Sequence, residues 1–368
     1  MKQKLNLGVF LSLGDSLASL RKSGQDARFI NEYLKAYAKK FNVYAFSYIK
    51  EKSKLPSDCY LISNKTKLSR FVYQFFLPFY NLSLIKKINV IRVMQLTGVI
   101  PAIICKIVLN KPFVFTYGYD YVSFAKLENQ KIRPVLLKTM ERLAIKYAAV
   151  VIVTSKKMQS SLEKKYSQVK LAYIPNGVNI EKFKPLKKSA NKRQSSCVNI
   201  LFVGRLEKQK NLANLLKAVF LLSKSYKLKI VFIGQGKLKA GLEKLAKTKK
   251  LDLTIINKVS HSQMPKYYQQ ADFFVLPSYL EGHPKALLEA MASGLPCLVS
   301  DYPGLEFVDN REIKVTGFKD KEIAMNLKKL ITDNNLRKKL GATAREKIKD
   351  SFSLEKNLEK EVNMLKNV

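Results

Sequence analysis

The feature that most restricts how this chain can fold is a rhythm that occurs twice: short runs of Val, Ile and Phe, each followed by a longer stretch of helical periodicity. Such runs are expected of strands buried on both faces, and the helices between them are the crossovers that parallel strands require. In the first half the runs are Leu5 to Leu11, Val43 to Tyr48, Val90 to Gln95, Phe113 to Thr116 and Val150 to Thr154. Helices are predicted over Gln25 to Lys39, Val99 to Leu109, Pro134 to Ala148 and Lys156 to Tyr166. The segment "KPLKKSANKRQSS", Lys184 to Ser196, has no periodicity and reads as a flexible linker. The rhythm then restarts with "NILFVGRL", "KIVFIGQG", "LTIINKV", "ADFFVLPS" and "LPCLVS". The chain therefore reads as α/β, with one Rossmann-like domain over 1–184, a linker over 185–196, a second Rossmann-like domain over 197–350 and a C-terminal helical segment, 351–368, that packs on either half. At 368 residues it is longer than a single core usually grows. Two such halves imply a cleft facing the carboxyl ends of both sheets, where folds of this kind bind ligands.

The stretch "SYLEGHPKALLEAMASGLPCLVS", Ser278 to Ser300, sets Glu281 and Glu289 eight residues apart. Pro284 suits a first helical turn and "KALLEAMA" is a good helix former, so Glu281, Gly282 and His283 precede a helix N-terminus. Free amide donors and the positive helix end make that loop a site for a phosphate. Glu289 lies about a turn and a half into the helix and is expected to be half-buried unless something polar faces it; a ribose diol is a suitable partner. Taken alone, the two glutamates are equally consistent with a cap and a salt-bridged helix residue. Upstream, "LFVGRLEKQKNLANLLKAV" places Arg205 and Lys210 after a strand end and before a helix that begins near Asn211 or Leu212. Two cations there form a pyrophosphate clamp, or else solvated surface charge.

"YIPNGVNIEKFKP", "FVGRLEKQKNLANLLKA", "ADFFVLPSYLEGHPKALLEAMASGLPCLVS" and "SGQDARF" together resemble the large Glu-x7-Glu family of retaining GT-B glycosyltransferases, the group of phosphatidylinositol mannosyltransferases, lipopolysaccharide core glucosyltransferases and sucrose-phosphate synthases. The resemblance implies two Rossmann-like domains with a central cleft, a nucleotide-sugar donor and no metal. It assigns Arg205 and Lys210 to the donor pyrophosphate, Glu289 to the ribose and Glu281 to the donor sugar. Gly282, His283 and Pro284 would lie along the sugar and phosphates, and Gly24 would approach the donor phosphate. The donor base is expected to depend on the loop around Lys258 to Ser260, Val259 included. Where many relatives carry a histidine facing the sugar, this chain reads "VFTYGYDYVSF", with Tyr119 and Asp120; Asp120 is a candidate for binding a sugar hydroxyl or the acceptor. His283 stands where relatives have an apolar or small residue and is expected to line the pocket rather than act as a base.

Net charge narrows the partners. Lys+Arg 67 against Asp+Glu 28 gives +39, which favours anionic surfaces or substrates. From Asp58 to Asp120 no carboxylate intervenes, while Lys65, Lys67, Arg70, Lys86, Lys87, Arg92, Lys106 and Lys111 punctuate "FVYQFFLPFYNLSLI" and "VIPAIICKIVL". That combination fits either an interfacial membrane segment or a buried helix in a lysine-rich protein. The run Phe71 to Ile85 is too short to span a bilayer. "MKQKLNLGVFLSLGDSLAS" could be a signal peptide but is better explained as a first buried strand and its loop. Four scattered cysteines and two histidines encode neither a zinc site nor a disulfide framework, which fits a reducing compartment. "GQGKLKAG" has the wrong spacing for a dinucleotide fingerprint, and no P-loop is present. Basic residues are dispersed and no RNP-type motif occurs, so specific nucleic acid is not expected. The expected function is sugar transfer from a UDP- or GDP-sugar to a lipid-linked or cell-surface saccharide, at the inner face of the cytoplasmic membrane. A non-catalytic nucleotide-sugar or anionic-polymer binder, or an epimerase, remains open on the same fold.

Overall fold

The computed structural model describes residues 4–118, 120–121, 133–186 and 197–368. Tyr119 and most of the expected linker, 187–196, lie outside the described residues. The chain divides into two compact units, Met1–Pro175 with Lys356–Val368, and Asn176–Glu355.

The first unit is built on seven parallel strands: β1 (Leu5–Phe10), β2 (Phe41–Phe46), β3 (Cys59–Ile62), β4 (Val90–Val93), β5 (Phe113–Tyr117), β6 (Val150–Val153) and β7 (Leu171–Tyr173), in the order β3-β2-β1-β4-β5-β6-β7. Every residue of β4 and β5 is buried, which explains their unbroken apolar lettering. The exception in β4 is Arg92, whose guanidinium donates to Glu361 Oε1 (2.6 Å) on the C-terminal helix Leu354–Lys366, to Thr116 Oγ1 (2.6 Å) and to the Val93 carbonyl. Tyr37 donates to the same carboxylate oxygen at 2.5 Å. Burial opposes the Arg92 charge, but Glu361 and Tyr37 outweigh it and hold the guanidinium protonated.

The stretch with no carboxylates forms helices Arg70–Tyr80 and Leu82–Lys87. Its two faces differ. Tyr73, Leu77 and Ile85 are buried, and the first helix packs on Val99–Leu109, while Phe71, Val72, Phe75, Phe76, Phe79 and Tyr80 stay exposed. No helix among the described residues is long and apolar enough to cross a membrane.

The second unit repeats the arrangement with six parallel strands: β8 (Cys197–Val203), β9 (Lys227–Ile233), β10 (Asp252–Ile256), β11 (Phe273–Leu276), β12 (Cys297–Ser300) and β13 (Lys314–Thr316), ordered β10-β9-β8-β11-β12-β13. The direction of winding reverses between β8 and β11, and the crevice outside the carboxyl ends of those two strands is where a doubly wound sheet can seat a ligand. Glycines let the neighbouring loops meet there. A Cβ on Gly234, which has φ +151°, would fall 1.8 Å from the Gly204 carbonyl oxygen, and one on Gly236 would fall 2.3 Å from that of Leu206. The "GQG" letters therefore serve backbone packing between the β8 and β9 loops.

Candidate functional site

The loops leaving β8 and β11 are tied together at the reversal point. Tyr279 N donates to the Gln209 carbonyl (2.9 Å), and the Gln209 side-chain amide donates to the Leu280 carbonyl. This brings Lys210 against Glu281, Nζ to Oε1 at 2.5 Å, with about a tenth of each side chain exposed. Lys210 ends a 3-10 turn, Lys208–Lys210, and Asn211 follows in the left-handed region (φ 55°), capping the helix Leu212–Leu222 and donating to the Phe318 carbonyl. Arg205, on the same loop, is half-exposed and pairs with Glu207 at 2.9 Å. Around Lys210 and Glu281 several buried polar atoms have no hydrogen-bond partner among the described residues: Gln209 Oε1, Ser278 Oγ and the Tyr302 hydroxyl. Burial, and then the charges of Glu281 and Glu306, raise the Tyr302 pKa well above its ordinary value, so the phenol is a donor awaiting an acceptor. Buried groups of this kind are rare except where water or a ligand completes them.

Pro284 is the N-cap of the helix Lys285–Ala292, one position earlier than the first turn expected for it, and supplies no side-chain cap. The first amides of such a helix lack intrahelical acceptors. Gly282 and His283 lie just before them, and Asn176 Nδ2 pins the His283 carbonyl at 2.7 Å. The His283 ring packs between Phe307 and Phe352, with centroids 4.3 and 5.2 Å away, and neither ring nitrogen has a hydrogen-bond partner among the described residues. Burial pushes its pKa down to about 3, so the imidazole is neutral and serves as packing.

Glu289 is buried rather than half-buried, because the protein itself supplies the polar partners. His261 Nε2 lies 3.1 Å from Oε1, and Tyr268 donates to Oε2 at 2.9 Å. Neither partner was legible in "SHSQMPKYYQQ": one histidine and one tyrosine carry no motif. Val259, on the same loop as His261, is buried.

Two candidates belong to the first unit. Gly24 caps the helix Leu17–Ser23 in the left-handed region (φ 74°), donating to the Arg21 and Leu20 carbonyls, and stands two residues before the next helix at Asp26. Asp120 is exposed beyond the carboxyl end of β5, between Tyr117, which donates to Glu141 at 2.7 Å, and Tyr121, which donates to Gln95. The described residues contain no group of three His, Cys, Asp or Glu side chains placed to hold a metal.

Residues 180–347, which contain Lys210, Glu281 and Glu289, match the family described as Glycosyl transferases group 1, and residues 28–182 match Glycosyltransferase Family 4. The chain carries a Glycosyl transferases group 1 domain and a Glycosyltransferase Family 4 domain. Proteins similar to it include an uncharacterised glycosyltransferase of Methanocaldococcus jannaschii, 30% identical over 260 residues, 64% of each chain. Another is the Escherichia coli UDP-Gal:alpha-D-GlcNAc-diphosphoundecaprenol alpha-1,3-galactosyltransferase, 28% identical over 207 residues, 52% of this chain and 53% of that one. The matched region thus spans just under two thirds, or about half, of these relatives' own length. The crystal structure of Anabaena HepE in complex with UDP-glucose superposes with a TM-score of 0.77 over all of both chains at 15% identity. The two parallel-sheet units are those of the GT-B fold.

Proposed function

We propose that the protein transfers a sugar from a nucleoside diphosphate donor to an acceptor hydroxyl with retention of anomeric configuration. The observation that carries this reading is the buried Lys210–Glu281 pair at the reversal point of the second sheet, ringed by unsatisfied polar atoms. In the loaded enzyme Lys210 turns toward the pyrophosphate, with Arg205 beside it, and Glu281 accepts from the donor sugar. Gly282 and Pro284 bring the amide end of the helix Lys285–Ala292 to the phosphates. The C1–phosphate bond breaks as C1 bonds the acceptor oxygen on the same face, and the acceptor proton passes to a leaving phosphate oxygen. Charge that builds on the diphosphate is met by Lys210, Arg205 and the helix end, so we expect turnover without a divalent metal. A UDP-sugar is the favoured donor, in line with the UDP-glucose of HepE and the UDP-Gal of the E. coli relative, and a saccharide on a lipid carrier is the favoured acceptor.

The acceptor reading is supported by the first unit. The exposed phenylalanines of Arg70–Tyr80 continue into exposed Ile107 and Val108 of the neighbouring helix and into Val135, Leu136 and Leu143 of Arg133–Tyr147, with which that helix packs. Lys86, Lys87, Lys138 and Lys146, which lie on these helices, and Lys65 and Lys67, which shortly precede Arg70–Tyr80 in the chain, are exposed. Exposed apolar side chains interspersed with cations suit an anionic bilayer surface, which supports a position at the inner face of the cytoplasmic membrane.

The test is a thermal-shift panel of UDP, GDP, ADP and their sugars on wild type and Glu289→Ala, followed by anomeric assignment of the product by NMR. Stabilisation by one nucleotide family, lost in the variant, supports the donor site; no shift at saturating nucleotide defeats it. For the membrane face, Phe75→Ser with Phe76→Ser should abolish co-flotation with phosphatidylglycerol vesicles while leaving nucleotide binding intact. Unchanged flotation would remove that part of the proposal.

A further inference from the structure

Glu289 does not stand alone in the second unit; it is the end of a side-chain chain that begins at Lys182. Lys182 Nζ lies 2.7 Å from His261 Nδ1. An ammonium has only donors, so Nδ1 must accept, and the one proton of the neutral ring is therefore on Nε2. That proton points at Glu289 Oε1, 3.1 Å away. Tyr268 donates to the other oxygen at 2.9 Å. Phe183 packs on both supporting rings, 5.3 Å from His261 and 5.8 Å from Tyr268, which leaves neither ring free to rotate. His261 and Tyr268 are almost fully buried, 2% and 1% exposed. A carboxylate in so dry a place is costly unless donors hold it, and one oxygen apiece for two fixed donors also sets its plane. An ionised carboxylate has about four lone-pair sites in all, so a held one can still receive the two hydroxyls of a vicinal diol.

We infer that His261, locked in its Nε2–H form by Lys182, and Tyr268 are positioning residues that orient Glu289 for the two ribose hydroxyls of the donor nucleotide. The inference rests on the nucleotide-sugar reading above. Its consequence is that the network acts on the ribose hydroxyls and on nothing else in the donor.

The experiment is a titration of wild type, His261→Leu, His261→Gln and Tyr268→Phe with UDP, GDP and ADP, each beside its 2′,3′-dideoxy counterpart. For the nucleotide that binds wild type, His261→Leu should weaken the ribonucleotide about tenfold, the scale of one hydrogen bond to a charged group. The same variant should leave the dideoxy nucleotide unchanged. His261→Gln, whose amide can still donate to Glu289, should recover most of the loss. In turnover the defect should appear in the donor KM and spare kcat. Equal weakening of both nucleotides by His261→Leu would mean that the ring only packs the core, and would overturn the inference while the donor site stands. If wild type binds no nucleotide at all, the donor reading and this inference fall together.

Discussion

Each unit contains a buried ion pair, and the two are opposites in everything but burial. In the first unit Arg92 and Glu361 lie within the sheet and its covering helix, and Thr116, Tyr37 and the Val93 carbonyl complete their hydrogen bonds. In the second, Lys210 and Glu281 sit on loops at strand ends, beside a glutamine oxygen, a serine hydroxyl and a phenol that have no hydrogen-bond partner among the described residues. A completed pair is part of the scaffold. A pair among unsatisfied groups suits the donor site proposed above, and what distinguishes the two pairs is their neighbours rather than the pair itself.

The contrast can be broken by substitution. Glu361→Ala strands the Arg92 charge in the core and should cost about 3–5 kcal/mol of stability, read by urea unfolding; a loss below 1 kcal/mol would show that water already reaches Arg92. Lys210→Gln keeps a donor for Glu281 but not the charge, and should lower turnover about 10²- to 10³-fold with little change in Tm. A variant that melts early and still turns over would reverse the two assignments.

His283 sharpens the comparison from another side, as a buried titratable group that is neither paired nor placed to bind. Its unfolded form takes a proton near pH 6.5, whereas the folded form resists protonation down to about 3. Its contribution is therefore intact above pH 6.5 and is lost progressively as pH falls toward 3. At pH 5 wild type should have lost about 2 kcal/mol relative to pH 7.5 that His283→Phe retains; equal losses in both proteins would show that the ring is hydrated. The smallest effect is expected at Arg205, whose half-exposed side chain faces solvent screening. Arg205→Ala should weaken donor binding by about tenfold or less, measured as donor KM, and a loss matching that of Lys210→Gln would make the two cations equal members of the clamp.

The central strands of both sheets are readable because β4, β5 and β11 are wholly buried and β8 has a buried centre, and all four are written mainly in apolar letters. The edge strands β3, β7 and β13 escaped notice: at three or four residues, with intermediate exposure at several positions, they have too little pattern to read. Helix Arg70–Tyr80 reads as apolar and cation-flanked, but its two faces are invisible in the sequence because the exposed one, with four phenylalanines, is as apolar as the buried one. In the site, Glu281, Glu289, Arg205 and Lys210 stand out in the sequence through their spacing and loop positions, and all four have buried or paired settings, Arg205 the most exposed of them. His261 and Tyr268 could not be found that way, since their role arises from a loop and a helix that meet Glu289 only in three dimensions. His283 was expected to line the pocket, and the aromatic pair that holds its ring comes from Phe307 and Phe352, residues with no sequence signal linking them to the turn.

The division of the chain also sets an order of events during synthesis. Glu361 and the rest of Lys356–Val368 belong to the first unit but follow Asn176–Glu355 in the chain. At roughly 5–20 residues per second, the ribosome takes roughly 10 to 40 s to make that intervening unit. For that interval the nascent first sheet has Arg92 without Glu361 and a core that lacks Val362 and Leu365, so the early half stays incomplete until the helix Leu354–Lys366 emerges.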